Sequence, residues 1–284
     1  MVAVESLHIR RAVPDDQQQI GSLMFFESHV HRHLDWRGPL EWLGSPFYWV
    51  MEKQGEIVAA LACPQDPPGI AWIRLFTCAT TTSPAEVWSA LWEAACLELS
   101  NPGGAIAAAI ALNPWFEGFL AHSGFVFHQS IVMLAWEGGS YREQPLPVDV
   151  KLRPLLPADL PEVVEVDASA FAPLWRNSLD ALQKALRQAA HATVIETPRG
   201  LSGYQLSTGG AHGVHLARLA VRPELQGRGL GSALVVDLLK HTGGRGRAHV
   251  TVNTQSDNLA SQALYQHLGF VFTGEQYPVL IRPF

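Results

Sequence analysis

Cysteine is scarce in this chain, three in 284 residues. Cys63, Cys78 and Cys96 neither form a CxxC pair nor cluster with histidines. That spacing argues against a zinc site or a disulfide framework, so buried free thiols and no metal are expected. Charged side chains are also few, at 16% with a net charge of −6, which argues against a nucleic-acid-binding surface. The opening residues MVAVESLHIRR hold no apolar run of signal-peptide length, and the longest small-apolar run, AIAAAIAL at 105–112, is too short to span a bilayer. The expectation is a cytoplasmic chain without a membrane partner. Also missing are the Walker loop, GxxxxGK followed by Ser or Thr, and a GxGxxG turn after a first strand.

What is present is apolar residues, 48% of the total, enough for real cores, in a chain longer than one average domain. It is also internally repeated. NPWFEGFLAHSGFVF from Asn113 aligns without a gap to NLASQALYQHLGFVF from Asn258, at an offset of 145. IRRAVPDD from Ile9 resembles LRPLLPAD from Leu152 at 143, and IRLFT ending at Thr77 resembles ARLAV ending at Val221 at 144. Three landmarks in one order predict a duplicated domain. The expected division is 1–143, 148–284, and a linker over 137–147 whose glycines and prolines suit an exposed junction. Charge is uneven between the copies, with 7 Lys/Arg against 15 Asp/Glu in residues 1–144 and 13 against 11 afterwards.

The second copy reads as an α/β unit with a mixed sheet. Strands are expected at 150–153, 192–196, 202–208, 213–221 and 247–253, helices at 157–170, 176–190, 229–241 and 258–267, and a final strand pair at 269–274 and 277–282. Between the strand ending at Val221 and the helix starting near Gly229 lies LQGRGLGSALVVDLL, with three glycines in five positions. A Gly-rich bend entering a helix brings unpaired backbone N–H groups and the positive end of the helix dipole to one place, a cradle for phosphate.

The spacing Gln226-x-x-Gly229-x-Gly231, with Asn258, Ala260, Tyr265 and Gly269-Phe270 after it, strongly resembles the GNAT superfamily of acyl-CoA-dependent N-acetyltransferases. The resemblance implies two tandem GNAT-like domains, each with a mixed, mostly antiparallel twisted sheet flanked by helices. The two-domain plan is similar to that of the mycothiol synthase family. It further implies acetyl-CoA as cosubstrate, with Leu219, Ala220 and Val221 along the pantetheine arm and Gln226, Gly227, Arg228, Gly229, Leu230, Gly231 and Ser232 around the pyrophosphate. Asn253 and Asn258 complete that set. Asn253 stands where ribosomal-protein alanine acetyltransferases carry a Glu.

Aminolysis of a thioester needs a neutral amine, a donor for the carbonyl oxygen and a proton for the departing sulfur. Tyr265 matches the family's usual general acid, and an N–H near Leu219 or Ala220 its oxyanion donor. His215 falls where some members carry a base, and strand alternation puts it on the face of Leu219 and Val221. Water-mediated deprotonation is the alternative, with His212 and His249 as weaker candidates. Phe171, Trp175, Glu275 and Tyr277 fall in the family's substrate-reading segments and form a candidate acceptor pocket for a primary amine of a small molecule or peptide. A different class stays open too, an acyl-CoA-sensing regulatory module without turnover.

At an offset of 144 the first copy has Thr82 for Gln226, Ala85 for Gly229 and Val87 for Gly231. Ser83, Pro84 and Glu86 read as the N-cap, N1 and N3 of a self-capped helix, and Leu120 replaces Tyr265. The first copy is therefore expected to be non-catalytic. Eight of the nine tryptophans fall in it, and core or interface packing is expected for them.

Overall fold

The computed structural model describes residues 7–100, 104–139, 141, 146–210, 213–243 and 249–284. Ser140 and residues 142–145 of the expected linker, together with His212, lie outside the described residues.

The chain folds into two compact units. Unit 1 contains β1 (His8–Arg11), α1 (Gln17–Phe26), β2 (His29–Arg32), β3 (Tyr48–Lys53), β4 (Glu56–Ala62), β5 (Ile70–Trp72), β6 (Leu75–Cys78), α2 (Pro84–Leu99), β7 (Ile106–Ile110) and α3 (Pro114–His122). Strand β8 (Val126–Trp136) then leads into unit 2. The rest of unit 2 is β9 (Lys151–Pro154), α4 (Leu160–Ala170), α5 (Leu179–Gln188), β10 (Ala189–Thr197), β11 (Gly200–Gly210), β12 (Gly213–Val221), α6 (Leu230–Gly243), β13 (Val250–Gln255), α7 (Leu259–His267) and the first part of β14 (Val271–Pro283).

In unit 1, β1, β3, β4, β6 and β2 are hydrogen-bonded in that order, all antiparallel. β5 lies parallel to β7, with Ile70–Trp72 opposite Ile106–Ala108. In unit 2, β9, β10, β11 and β12 form an antiparallel run, and β13 joins β12 in parallel through Val214–Leu216 opposite Val250–Val252. These two parallel ladders use residues exactly 144 apart, so the repeat seen in the sequence is a repeat of strand pairing.

The compact units are not the two sequence copies. Ile131–Trp136 pair with Val250–Gln255, so most of β8 completes unit 2, while Val279–Pro283 pair with Ile106–Ile110 and complete unit 1. Each copy thus gives its last strand to the other unit, and the units are 1–128 with 278–284, and 129–277. The expected strand pair at 269–274 and 277–282 is one continuous strand, β14. Gly274, at φ +89°, lies inside it and makes no hairpin turn.

Duplication extends to a charged latch. Arg10 donates to Asp16 (2.7 and 2.8 Å) and to Glu52 (2.9 and 2.5 Å). Arg153 likewise donates to Asp159 (2.7 and 3.0 Å) and Glu196 (3.0 Å). In each unit the aspartate also accepts a backbone N–H three residues upstream, Val13 or Leu156, at 2.8 Å. The latch ties the first strand to the turn before the first helix, using a planar fork that matches carboxylate geometry.

The cores follow from the apolar patterns. In unit 1, Phe76, Trp88, Trp92 and Phe116 pack with Leu91, Leu99 and Leu120, and Trp88 stacks on Trp92 at 5.6 Å. In unit 2, α6 and α7 cover β8, β12 and β13 through Val235, Leu238, Leu268, Val214, Leu216, Val252 and Trp136. Six of the eight first-copy tryptophans, Trp42, Trp49, Trp72, Trp88, Trp92 and Trp136, are buried. Cys63 and Cys78 are buried free thiols and Cys96 is half-buried. Among the described residues, no helix is long and apolar enough to cross a membrane, and no group of three or more His, Cys, Asp or Glu side chains is arranged to hold a metal.

The latch makes acid stability testable. The Arg153 guanidinium holds the Asp159 carboxyl below the ordinary value of 3.8, so its contribution is complete above that value and is lost as pH falls through the lowered one. Asp159→Asn should therefore cost about 1–3 kcal/mol in urea denaturation at neutral pH, with the gap to the wild type closing as the medium is acidified. Asp16→Asn should behave in parallel in unit 1.

Candidate active site

The opening in unit 2 begins where a β-ladder stops. Beyond Leu216 and Val252 no β13 residue pairs with β12, although β12 runs on to Val221 against β11. Antiparallel ladders bond alternate pairs. Arg222 N–H donates to Ser202 O at 2.9 Å, so the next bonded pair is Ala220 with Tyr204. The backbone N–H groups of Leu219 and Val221 therefore point to the open side. Of the two expected carbonyl-oxygen donors, Leu219 faces the opening and Ala220 faces β11.

The glycine turn closes one end of this opening. After the 3-10 turn Pro223–Leu225, Gln226 Nε2 donates to Val221 O at 3.0 Å and fastens the bend to the strand end. Gly227 and Gly229 have φ of +73° and +79°, in the region that glycine enters without a Cβ penalty. Helix α6 follows at Leu230, and its first intrahelical bond runs from Ala233 N–H to Gly229 O at 3.0 Å. Among the described residues, no group accepts from the amides of Leu230, Gly231 and Ser232, the orphan donors of the first turn. A Cβ on Gly231 would stand 3.3 Å from Leu264 and 4.0 Å from Val221, so this glycine lets α6 pack against both. Arg228 is exposed at the tip of the turn.

His215 is displaced from its expected face. Leu206 pairs with Arg218 but Ser207 pairs with Leu216, which leaves Ala217 as the extra residue of a β-bulge. The bulge shifts the alternation by one. Val214, Leu216, Leu219 and Val221 share the α6 side, whereas His215 stands on the opposite face with Arg218. Its Nδ1 lies 2.9 Å from Thr251 Oγ1. Burial lowers its pKa below 6.5, partly offset by a hydrogen bond from its side chain to exposed Asn253. The imidazole is neutral at neutral pH.

Tyr265 lies on the α6 side of the sheet, packed with Leu268, Trp136 and Phe270, its ring 5.6 Å from that of Phe270. Burial pushes its phenol well above the ordinary value of 10.0, so it stays protonated. Asn258 is the N-cap of α7, its side chain accepting from Ser261 N–H at 3.1 Å. His249 faces Glu137 at 2.8 Å, and its backbone carbonyl accepts from Val214 N–H at 3.1 Å.

Phe171 and Trp175 meet around a residue that motif reading passed over. The Arg218 guanidinium sits 3.5 Å above the Phe171 ring and donates to Trp175 O at 2.6 Å. It also binds fully buried Asp167, which accepts from Tyr204 OH as well. Neither Asp167 nor Tyr204 belongs to a spaced motif; only the fold brings residues from α4, β11 and β12 together. Glu275 and Tyr277 lie within the continuous strand β14, without the break between two strands expected there.

Unit 1 repeats the opening and fills it. β5 pairs with β7 over three residues and β6 continues the strand, but the free edge of β6 is covered by β2. His29, Val30, His31 and Arg32 lie opposite Cys78, Thr77, Phe76 and Leu75. His31 is buried, its Nε2 3.2 Å from Ile73 O and its ring stacked on Phe116 at 3.9 Å. Ser83 occupies the N-cap of α2 without a side-chain cap bond, contrary to the self-capped reading. Pro84 at N1 still removes one first-turn donor. Leu120, in the place of Tyr265, is buried in the unit 1 core.

Residues 162–270 match the model of the acetyltransferase (GNAT) family. Over 147 residues the chain is 29% identical to a mycothiol acetyltransferase of Nocardioides sp., covering 44% of this chain and 50% of that protein. Over 53 residues it is 43% identical to a mycothiol acetyltransferase of Streptomyces coelicolor, covering 19% of this chain and 17% of that protein. The matched parts thus span half or less of these relatives' own length. Among solved structures, a tandem GNAT protein from the clavulanic acid biosynthesis pathway superposes with a TM-score of 0.65 at 16% identity, covering 98% of each chain. An N-acetyltransferase of Sphaerobacter thermophilus superposes with a TM-score of 0.61 at 14% identity, covering 98% of this chain and 95% of that one. Residues 162–270 thus carry the match to the GNAT acetyltransferase family, in a fold shared with tandem GNAT proteins.

Proposed function

We propose that unit 2 transfers the acetyl group of acetyl-CoA to a primary amine of a small molecule or peptide, and that unit 1 takes no part in the chemistry. The observation that carries this reading is the parting of β12 from β13 beside the free first-turn amides of α6. The residues fit the cosubstrate on two counts. The outward N–H groups of Leu219 and Val221 suit the amide-bearing pantetheine arm, and the bend from Gln226 to Ser232 offers unpaired amides and a helix N-terminus to the pyrophosphate.

Acetyl-CoA supplies an activated thioester carbonyl, and the chain's residues supply the rest. Leu219 N–H donates to the carbonyl oxygen. His215, kept neutral by burial, accepts the proton of the attacking amine on the ring nitrogen that carries the lone pair. Tyr265 reaches the sulfur from the opposite face of the sheet. Its raised pKa makes the phenol a weaker acid than a thiol, so its part is a hydrogen bond to the departing sulfur and not complete proton transfer. Phe171, Trp175, Glu275 and Tyr277 are assigned to the acceptor, with the Glu275 carboxylate attracting a cationic amine. Asn253 acts beside His215 and Asn258 through its cap on α7. For unit 1, the strand β2 occupies the edge that pantetheine would need, which supports a non-catalytic role.

Thiol release from acetyl-CoA should rise on adding one of four probe amines, spermidine, glucosamine, an alanine-terminated peptide or a lysine peptide. Tyr265→Phe keeps the packed ring and should lower kcat by about 10²-fold or more while leaving acetyl-CoA affinity unchanged. Undiminished turnover would remove Tyr265 from the mechanism. In the pH profile of kcat/KM, the rate should rise along a limb centred below 6.5, because the base works unprotonated. His215→Gln should abolish that limb, and a limb that persists would assign the base elsewhere.

A further inference from the structure

The Phe171–Ser178 segment between α4 and α5 is clasped to β12 by one side chain. Arg218 donates from Nε to Asp167 at 2.8 Å and from Nη2 to Trp175 O at 2.6 Å, and its face lies 3.5 Å above the Phe171 ring. Asp167 completes the clasp from below. It accepts from Asn177 N–H at 2.9 Å through Oδ1, and its backbone carbonyl accepts from Phe171 N–H at 3.0 Å. Tyr204 OH takes a further site on Oδ2. Arg218 is only 12% exposed and Asp167 not at all, so the pair is desolvated and is sustained by its full set of hydrogen bonds.

Its place in the unit gives the clasp a use. Because of the bulge at Ala217, Arg218 and His215 stand on the same face of β12, and Arg218 directly precedes Leu219. The segment that Arg218 holds therefore lies on the face of β12 that carries His215. The first copy supports a specialised role. Arg74 corresponds to Arg218, but Met24 and Ala60 stand where Asp167 and Tyr204 would be, and Arg74 pairs with Asp35 instead. The unit without a proposed acceptor keeps the arginine and has lost the clasp.

We propose that Arg218 is a positioning residue for the amine acceptor, fixing the distance between the Phe171–Ser178 segment and His215. This rests on the acetyltransfer reading above. Only a guanidinium meets all three demands, since an ammonium can pair with Asp167 but cannot also reach the Trp175 carbonyl and lie flat on Phe171.

The test is Arg218→Lys, read in two ways on the full chain. With whichever of spermidine, glucosamine, the alanine-terminated peptide or the lysine peptide the wild type acetylates, KM for the amine should rise about tenfold, kcat should change less, and acetyl-CoA affinity should stay constant. Amide hydrogen exchange in residues 171–178 should accelerate by about tenfold, with the α6 and β13 amides unaffected. If Arg218→Lys does not fold, Arg218→Met combined with Asp167→Asn removes both buried charges and is read in the same way. Unchanged exchange, unchanged amine KM, or an equal weakening for acetyl-CoA and amine would each overturn the proposal. A wild type that acetylates none of the four amines would instead count against the acetyltransfer reading itself.

Discussion

A strand inside a sheet has backbone donors and acceptors on both sides, and leaving one side unmet is costly unless water, ligand or chain supplies partners. In both units a parallel ladder three residues long ends abruptly and exposes such an edge, at Leu219 and Val221 in unit 2 and along β6 in unit 1. Much of the molecule reflects how this edge is met. Unit 1 meets it internally with β2 and carries Pro84 at the first position of the following helix. Unit 2 leaves it open beside three free amides, with Gln226 tying down only the last carbonyl. The same architecture, duplicated, thus yields one closed copy and one that is suited to an extended, amide-bearing ligand with an anionic end.

The surroundings keep that edge in place. The Arg–Asp–Glu latches at Arg10 and Arg153 fix the first strand of each unit to the turn before its first helix. The exchanged strands β8 and β14 complete the sheets next to β13 and β7. Trp136, which belongs to the first copy in sequence, fills the unit 2 core around Tyr265. On the other face, the Asp167–Arg218 pair clasps the Phe171–Ser178 segment to β12. The two candidate proton-handling groups, Tyr265 and His215, consequently stand on opposite faces of one sheet.

Much of this was legible in the sequence, because a duplicated fold leaves its landmarks at a nearly constant offset and a glycine turn needs glycine where φ is positive. The repeat, the two α/β units, the turn from Gln226 to Gly231 and the loss of that turn in the first copy all follow from local pattern. What escaped depends on pairing. The bulge at Ala217, which moves His215 across the sheet, exists only through the register of β12 against β11. The strand exchange places identical hydrophobic patterns in either unit equally well. The break expected between the strands 269–274 and 277–282 is absent, and both are accommodated within β14. β2 is four residues long, HVHR, too short for a period to show, and Asp167, Tyr204 and Arg218, distant in sequence, meet through hydrogen bonds that only the fold creates. Ser83 has the right residue type for a cap, yet its side chain does not make the bond.

The central claim is that one acyl-CoA site exists per chain, at the glycine turn of unit 2. Calorimetric titration of the wild type and Gly229→Glu with acetyl-CoA tests it most directly, since the variant places a carboxylate where the phosphates are expected, at a backbone φ of +79°. The account predicts one site per chain in the wild type and none in the variant. Two sites, or binding that survives the substitution, would contradict it.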